Sequence, residues 1–151
     1  PEKWAETHRF PGWYDTGDLA YYDEDGYFFH AGRSDDMIKS RAYLISPKEL
    51  EETIVEVTET LEAAVIGAPD PVAGSRVKAF ITLRAGTKPT KELAEKIRKH
   101  VKQRIAPYKI PKDIEFVDEL PKSPTGKILR RELRKLETER YDKGETAGFS
   151  F

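Results

Sequence analysis

The chain has 151 residues, of which 38% are hydrophobic and 35% are charged, and its net charge is -1. This length fits one ordinary domain, or one small domain together with part of another. The balanced charge argues against a wholly basic surface for nucleic acid, and the lack of cysteine excludes disulfides, thiolate catalysis and cysteine-ligated zinc. No apolar run approaches the roughly 18–20 residues of a membrane span, so we expect a soluble, cytoplasmic protein.

Residues 1–30 differ in composition from the rest of the chain. They hold nine of the sixteen aromatic residues and carry a net charge of -5. Within them, residues 19–22 and 27–30 are strand-like, and residues 23–26 (Asp-Glu-Asp-Gly) favour a turn. A lone hairpin is marginally stable in water, and this one would expose a large aromatic surface. We therefore predict a β-hairpin that normally packs on a larger domain.

A second short hairpin and a helix are predicted next. Residues 37–40 and 43–45 favour the hairpin. Ser46 indicates a helix start, because a proline follows it at the first helical position and Glu49 stands where a capping box requires an acid. This helix would run to about Val57, with one apolar face.

The rest of the chain predicts a small sheet and two more helices. The elements expected in order are strands at 61–67 and 77–83, a helix from Thr90 to about Ile105, a strand at 114–117, a basic helix at 128–136 and a polar tail. Together these elements predict an α+β fold in which a three-stranded sheet is flanked by helices and preceded by the aromatic hairpin.

The loop Pro121–Lys127 (PKSPTGK) joins the last predicted strand to the last helix. Gly126 permits a close approach of the backbone, and Lys127 is a mobile charge suited to a phosphate or a carboxylate. The loop is not a P-loop, because the first glycine of that motif is missing and Ile128 follows the lysine. From composition alone, a solvated lysine at a helix start is the simpler interpretation.

Two earlier segments also carry groups suited to a nucleotide. Asp18 follows a Thr-Gly turn, and a carboxylate there can accept two hydrogen bonds from a ribose diol, although an ordinary acidic turn is an equal alternative. The polar segment 32–39 (GRSDDMIK) marks the change in composition, where a hinge would lie. Within it, Arg33 could pair with a phosphate or with a nearby acid, and a plain linker is the alternative.

Several segments, in this order and spacing, are far more specific than any one of them: YDTGD (14–18), GRSDDMIKS (32–40), SPKELEE (46–52), APDPVAGSRVKAFI (68–81), APYKIP (106–111) and LPKSPTGKILRREL (120–133). Together they resemble the AMP-forming acyl-CoA synthetases of the adenylate-forming superfamily. The resemblance covers roughly residues 13–136 and is nearest to the medium-chain acyl-CoA and benzoate-type aryl-CoA ligases. It implies that residues 1–34 end a large N-terminal adenylation domain, that 35–140 form the mobile C-terminal domain and that 141–151 are a polar tail.

The resemblance implies a role for four residues. Asp18 would hold the ribose hydroxyls of ATP, Arg33 would reach the ribose or a phosphate, Asp35 would be the pivot of domain rotation, and Lys127 would be the catalytic lysine. The implied enzyme uses ATP with Mg2+ to convert a carboxylic acid into an acyl-adenylate and then transfers the acyl group to CoA. It would pack on its own N-terminal domain, and this chain alone would be inactive.

The contacts to CoA are implied less completely. The tentative candidates are Arg41, Ala42, Tyr43, Arg76, Tyr108 and Lys109. The family commonly has glycine, an aromatic residue and arginine where this chain has Ala42, Tyr43 and Leu44, and a leucine cannot bind phosphate. Benzoate-type ligases also lack this arginine, and Arg76 or Arg41 would be the substitute phosphate contact.

Two other functions remain open at this stage. One is the C-terminal part of a carrier-protein-linked adenylation domain, which a test with CoA against a phosphopantetheinyl carrier would separate from a CoA ligase. The other is a non-catalytic binding or regulatory module. The basic residues of the last helix (Lys127, Arg130, Arg131, Arg134 and Lys135) fit phosphates of ATP or CoA, or plain solvation, better than nucleic acid. The three scattered histidines have no metal-ligand spacing, so no protein-held metal is expected.

Overall fold

The structure is a computed structural model that describes residues 7, 8 and 10–151. The first part of the predicted N-terminal segment, residues 1–6 and 9, lies outside the described residues. The elements in chain order are β1 (Asp18–Tyr22), β2 (Phe28–Arg33), β3 (Ile38–Ser40), β4 (Tyr43–Ile45), α1 (Pro47–Val55), β5 (Thr60–Asp70), β6 (Gly74–Leu83), α2 (Lys91–Arg104), β7 (Asp113–Phe116), α3 (Arg130–Asp142) and β8 (Phe149–Ser150). A short 3-10 turn covers Pro107–Lys109.

Both predicted hairpins are present. Strands β1 and β2 pair antiparallel, and so do β3 and β4. In the first hairpin the rings of Tyr21 and Phe29 stack across the strands at a centroid distance of 5.1 Å. The aromatic side chains of this hairpin nevertheless stay exposed, among them Tyr22 at 73% and Phe28 at 77%. Such an exposed aromatic face is a surface suited to packing on another unit.

The main sheet has four strands rather than the predicted three, in the order β5-β6-β7-β8. Strands β5 and β6 are antiparallel, α2 crosses over to make β7 parallel to β6, and β8 adds an antiparallel edge. Strand β8 lies in the segment predicted to be only a polar tail. Its two residues are too few for a periodic pattern. They pair with Asp113 and Ile114 of β7, and the N–H of the next residue, Phe151, donates to the carbonyl of Lys112 at 2.9 Å.

Alternation along β5 and β6 divides the core between the two faces of the sheet. Val65 and Ile81 belong to the cluster that packs under α1 and α2, whereas Ile66 and Phe80 belong to the cluster that packs under α3. Helix α3, which follows the Lys127 loop, therefore lies on the opposite face of the sheet from α1 and α2.

The start of α1 differs in detail from the prediction. Ser46 is the N-cap residue, but its side chain makes no capping hydrogen bond. Its hydroxyl donates instead to the carbonyl of Ala31 in β2 at 2.8 Å. The predicted capping box is thus replaced by a tertiary hydrogen bond that ties the first hairpin to α1.

Candidate functional site

Asp18 and Arg33 face each other at the open end of the first hairpin, because the register pairs them directly. An Arg33 guanidinium nitrogen, Nη1, lies 3.6 Å from Asp18 Oδ1 and donates a 2.8 Å hydrogen bond to the carbonyl of Thr16. A hydrogen bond to Asp35, together with the charges of nearby acids, raises the pKa of Arg33 above its ordinary value. Both side chains are about half exposed, so a polar ligand can reach them.

Gly17 lets the turn before β1 pass close to Arg33. Its φ is +72°, and a Cβ at this position would lie 2.9 Å from Arg33 Nη2. The turn is closed by Asp15, whose Oδ1 accepts the N–H of Gly17 at 2.8 Å. Because Asp15 closes the turn, the carboxylate of Asp18 is not needed for that role. It lies near Arg33 and 3.7 Å from His30, and it is accessible to a ligand.

The two adjacent carboxylates of Asp35 and Asp36, which follow β2, contact different parts of the fold. Asp35 accepts a hydrogen bond from Arg33 Nε at 3.3 Å, on the side of the first hairpin. Asp36 contacts α3 instead, where it accepts from Arg130 Nη1 at 3.1 Å and from Arg134 Nη1 at 3.0 Å. In the segment predicted as a hinge, contacts with the hairpin therefore give way to contacts with α3 between two successive residues.

The loop before α3 is a closed turn that presents Lys127. The N–H of Ser123 donates to the carbonyl of Lys127 at 2.8 Å, and the Ser123 hydroxyl accepts the N–H of Lys127 at 3.1 Å. Gly126 has φ +81°, a conformation that favours glycine at the tip of the turn. Lys127 is exposed, and within residues 7, 8 and 10–151 its ammonium has no hydrogen bond or ion pair.

Four of the six candidate CoA contacts line one groove of about 440 Å³: Arg41, Tyr43, Arg76 and Tyr108. The rings of Tyr43 and Tyr108 stack at a centroid distance of 4.1 Å, and each side chain is about half exposed. Arg41 has φ +53°, and its N–H donates to the carbonyl of Ala73 at 2.9 Å. This bond anchors the turn between β3 and β4 against the loop between β5 and β6.

Three of the six candidates are already paired or lie outside the lining of the groove. Arg76 lines the groove, but its guanidinium is paired with Asp113 and donates to the carbonyl of Pro69 at 2.6 Å. Lys109 is paired with Glu49 at 2.6 Å, and Ala42 is not a lining residue. Lys112, which sequence reasoning did not single out although it directly follows the APYKIP segment, also lines the groove.

Two arginines of α3 have partners that the sequence did not reveal. Sequence reasoning assigned Arg130 and Arg134 to phosphates or to solvent. The structure pairs both with Asp36 and pairs Arg130 also with Glu51 of α1, at 2.6 Å. Their spacing of four residues places them on one face of the helix, which was the available signal. It does not identify the partner, because Asp36 is 94 residues away from Arg130.

Within residues 7, 8 and 10–151, no group of three or more His, Cys, Asp and Glu side chains is arranged to hold a metal ion. In the same part of the chain, none of the helices has the length and apolar character that crossing a bilayer requires.

Comparison with protein families identifies the family to which the chain belongs. The family described as the AMP-binding enzyme C-terminal domain matches residues 49–127, which is more than half of the chain. The chain belongs to this family.

Relatives of this AMP-binding C-terminal domain are CoA ligases. The 4-hydroxybutyrate–CoA ligase 1 of Metallosphaera sedula is 54% identical over 134 residues, which are 89% of this chain and 24% of the relative. The acetyl-coenzyme A synthetase of Bacillus subtilis is 48% identical over 134 residues, which are 89% of this chain and 23% of the relative. The chain therefore spans about a quarter of the length of these relatives.

A solved structure shares the fold of the AMP-binding C-terminal domain. The anthranilate CoA ligase AuaEII, in complex with anthranoyl-AMP, aligns with a TM-score of 0.83 and 44% identity over 90% of this chain and 26% of that protein. The α+β class and the resemblance to acyl-CoA synthetases are thus confirmed.

Proposed function

We propose that the protein carrying this domain is an AMP-forming acid–CoA ligase. In the first half-reaction, a carboxylate oxygen of the acid attacks the α-phosphorus of ATP, which forms an acyl-adenylate and releases pyrophosphate. In the second, the thiol of CoA attacks the acyl carbon, which forms the thioester and releases AMP and a proton. The relatives support this reaction, since two are CoA ligases for named acids and one was solved with an acyl-adenylate.

The observation that carries the proposal is the unpaired ammonium of Lys127, which lies at the closing end of the turn formed by residues 123–127. Adenylation joins two anionic reactants, so negative charge concentrates where the carboxylate meets the α-phosphate. A lysine held there would bridge the two groups and stabilise the charge that develops in the transition state. Because Lys127 has no partner among the described residues, no internal ion pair has to break before it can do so.

The nucleotide would be held at the open end of the first hairpin. We assign Asp18 to the ribose hydroxyls and Arg33 to the ribose or a phosphate, as their mutual contact and half-exposed side chains allow. Mg2+ would arrive as part of the ATP substrate, and we assign no residue of this chain to it.

CoA would bind in the groove between the stacked tyrosines and the loop between β5 and β6. Arg41 is the strongest candidate for a CoA phosphate, because its guanidinium has no partner among the described residues. Lys112 adds a second positive charge to the lining, whereas Arg76 is already paired with Asp113. The stacked rings of Tyr43 and Tyr108 offer an apolar wall for the uncharged part of the molecule.

The two half-reactions would use different faces of the domain, with rotation about Asp35 between them. We propose that residues 1–34 end the adenylation domain and that the mobile unit begins at residue 35. It would extend through 151 rather than stop at 140, because β8 pairs with β7. The exposed aromatic face of the first hairpin supports packing on the adenylation domain. A cytoplasmic location stays a prediction.

The choice of acid lies outside this chain in our proposal. The chain has similar sequence identity, between 44% and 54%, to ligases named for 4-hydroxybutyrate, acetate and anthranilate. These three acids differ greatly in size and polarity. A region that is similarly related to ligases for such different acids is suited to the steps that all of them share.

The test replaces Lys127 in the full-length protein. Lys127→Ala should slow pyrophosphate release in a single turnover by about 100- to 1000-fold, the scale of one lost oxyanion donor. Thioester formation from supplied acyl-adenylate should be nearly unchanged, because the rotated domain has then carried Lys127 away. Lys135→Ala is the matched control, since Lys135 is also exposed and unpaired among the described residues. Equal slowing of both half-reactions, or of neither, would contradict the assigned role.

A further inference from the structure

Four charged side chains join the hinge segment to two helices. They are Asp36, Glu51 of α1, and Arg130 and Arg134 of α3, and we call them the hinge clamp. Asp36 receives one hydrogen bond from each arginine, at 3.1 and 3.0 Å. Arg130 also binds Glu51 through two parallel contacts, Nε to Oε1 at 2.9 Å and Nη2 to Oε2 at 2.6 Å.

The hinge clamp is shielded and geometrically specific. The side chains of Asp36, Glu51 and Arg130 are only 19%, 12% and 20% exposed. A two-point contact between a guanidinium and a carboxylate fixes orientation as well as distance. Glu51 is itself fixed to the sheet, because its Oε1 accepts the N–H of Val65 at 2.8 Å. Burial opposes the charge on Arg130, but its bonds to Glu51 and Asp36 raise its pKa above the ordinary value.

The hinge clamp connects two parts of the chain that are distant in sequence. One end is Asp36, the residue directly after the proposed pivot Asp35, whose own carboxylate is bound to Arg33 on the hairpin side. The other end is Arg130, the first residue of α3 and three residues after Lys127. Asp36 and Arg130 are 94 positions apart in the sequence, yet their side chains are joined by a hydrogen bond.

We infer that the hinge clamp is a positioning device in which Arg130, assisted by Arg134, ties the base of the Lys127 loop directly to Asp36, so that rotation at residue 35 carries Lys127 as part of one rigid body. The expected effect on adenylation rests on the proposed function. The expected effect on the rigidity of the Lys127 loop does not. Arg130 touches no reacting atom in this proposal and acts only through the loop that it holds.

The two half-reactions should depend on the hinge clamp to different extents. The CoA groove includes Tyr43 on β4, and β3 and β4 follow Asp36 directly along the chain, so covalent connection already couples them to the pivot. Lys127 has no such short connection and relies on packing and on the hinge clamp. Misplacement of a catalytic group by about 1 Å can cost roughly 100-fold in rate. Loss of the hinge clamp should therefore slow adenylation and spare thioester formation.

The experiment compares Asp36→Asn and Arg130→Gln with Arg140→Gln in the full-length protein. Arg140 is the matched control, because it lies on the same helix and its side chain is 23% exposed. It also pairs with two carboxylates, one from Glu115 and one from Glu137, but it does not contact Asp36. We expect each clamp variant to slow single-turnover pyrophosphate release by about 10- to 100-fold. Thioester formation from supplied acyl-adenylate should change less than about threefold. The slowing in the double variant should be smaller than the product of the two single effects, because both substitutions remove the contact between Asp36 and Arg130.

Amide hydrogen exchange in residues 121–129 gives a readout that needs no activity. Exchange there should be faster in both clamp variants and unchanged in Arg140→Gln. The inference is overturned if the clamp variants exchange like Arg140→Gln, or if they slow both half-reactions equally. If the unmodified protein releases no pyrophosphate with any of a panel of acids, the proposed function fails, and the exchange result alone then decides whether the hinge clamp holds the loop.

Discussion

At the scale of single residues, the charged groups of the site differ in whether they are already paired. Lys127 and Arg41 have side chains without partners among the described residues, whereas Arg76 and Lys109 are engaged by Asp113 and Glu49. An arginine that is already paired must lose that contact before it binds a phosphate, which reduces the net gain. Sequence motifs cannot distinguish these two states, because pairing depends on residues far away along the chain.

Gly17 gives a prediction at this scale. Gly17→Ala should raise the KM for ATP by about 10-fold, a change of roughly 1.4 kcal/mol. The added methyl group would lie 2.9 Å from Arg33 Nη2 and would displace the guanidinium from Asp18 and from the Thr16 carbonyl. The readout is the rate of pyrophosphate release as a function of ATP concentration.

Gly26→Ala separates this steric effect from backbone strain. Gly26 lies in the turn of the same hairpin with φ +83°, and a Cβ there would meet nothing within 4 Å. Both substitutions place an L-residue at positive φ, so both carry similar strain. If Gly26→Ala raises the KM for ATP as much as Gly17→Ala does, the contact with Arg33 is not what matters.

At the scale of secondary-structure elements, a buried lysine joins the sheet to α3. Lys78 of β6 is 1% exposed, and its ammonium lies 2.8 Å from both Glu115 of β7 and Glu137 of α3. It also donates to the carbonyl of Ala147, just before β8, at 3.0 Å. Burial favours the neutral form of Glu115, yet hydrogen bonds from Lys78 and Arg140 hold its pKa below the usual value. One side chain thus connects two strands, a helix and the segment that precedes β8.

Removal of this lysine should destabilise the fold strongly. Lys78→Ala leaves two buried carboxylates with Arg140 as their remaining cation, and breaking a buried ion pair on one side costs about 3–5 kcal/mol. Urea denaturation at neutral pH measures the free energy of unfolding. Lys96→Ala is the control, because Lys96 pairs with Glu59 but is 58% exposed, so its loss should cost less than about 1 kcal/mol. A loss for Lys78→Ala as small as for Lys96→Ala would show that the network adds little stability.

At the scale of the whole molecule, the proposed reaction needs two arrangements of one rigid unit. The side chain of Asp35 contacts the hairpin and the side chain of Asp36 contacts α3, so the side-chain contacts change over a single peptide step. A pivot this short localises the change to a few backbone angles, as hinge motions require. The backbone N–H of Asp35 itself makes no hydrogen bond among the described residues. Two hydrogen bonds do cross the pivot, from the N–H of Asp36 to the carbonyl of Arg33 at 3.2 Å and from the hydroxyl of Ser46 to the carbonyl of Ala31 at 2.8 Å, so rotation has to break them.

The pivot predicts an unequal response to proline. Asp35→Pro in the full-length protein should spare adenylation and block thioester formation, because proline fixes φ near -65° and would hold the adenylating arrangement. Pyrophosphate release and acyl-CoA formation are measured separately. Asp35→Ala keeps the backbone free while removing the carboxylate, so it should leave both steps within a few-fold of the unmodified protein. Equal loss of both steps in Asp35→Pro, or loss of neither, would argue against a pivot here.

Much of the secondary structure could be predicted from local sequence, because it depends on local chemistry. Thr90 caps α2 as predicted, with its side chain accepting the N–H of Leu93 at 3.2 Å. The apolar, β-rich runs at 61–67 and 77–83 predicted β5 and β6, and the first hairpin followed from turn residues between two strand-like runs. The second hairpin followed from two short strand-like runs. The family and the candidate residues followed from motifs, which are also local. Side-chain chemistry and backbone preference over a few residues suffice for these features.

Only the tertiary structure decided which groups meet. It paired Asp36 with Arg130 and Arg134, directed the hydroxyl of Ser46 to Ala31 rather than to its own helix, and added β8 to the sheet. Each contact joins residues far apart along the chain, and each requires the packed core to bring them within hydrogen-bonding distance. A charge pattern on one helix face records that a partner is needed, but the fold determines which carboxylate reaches it.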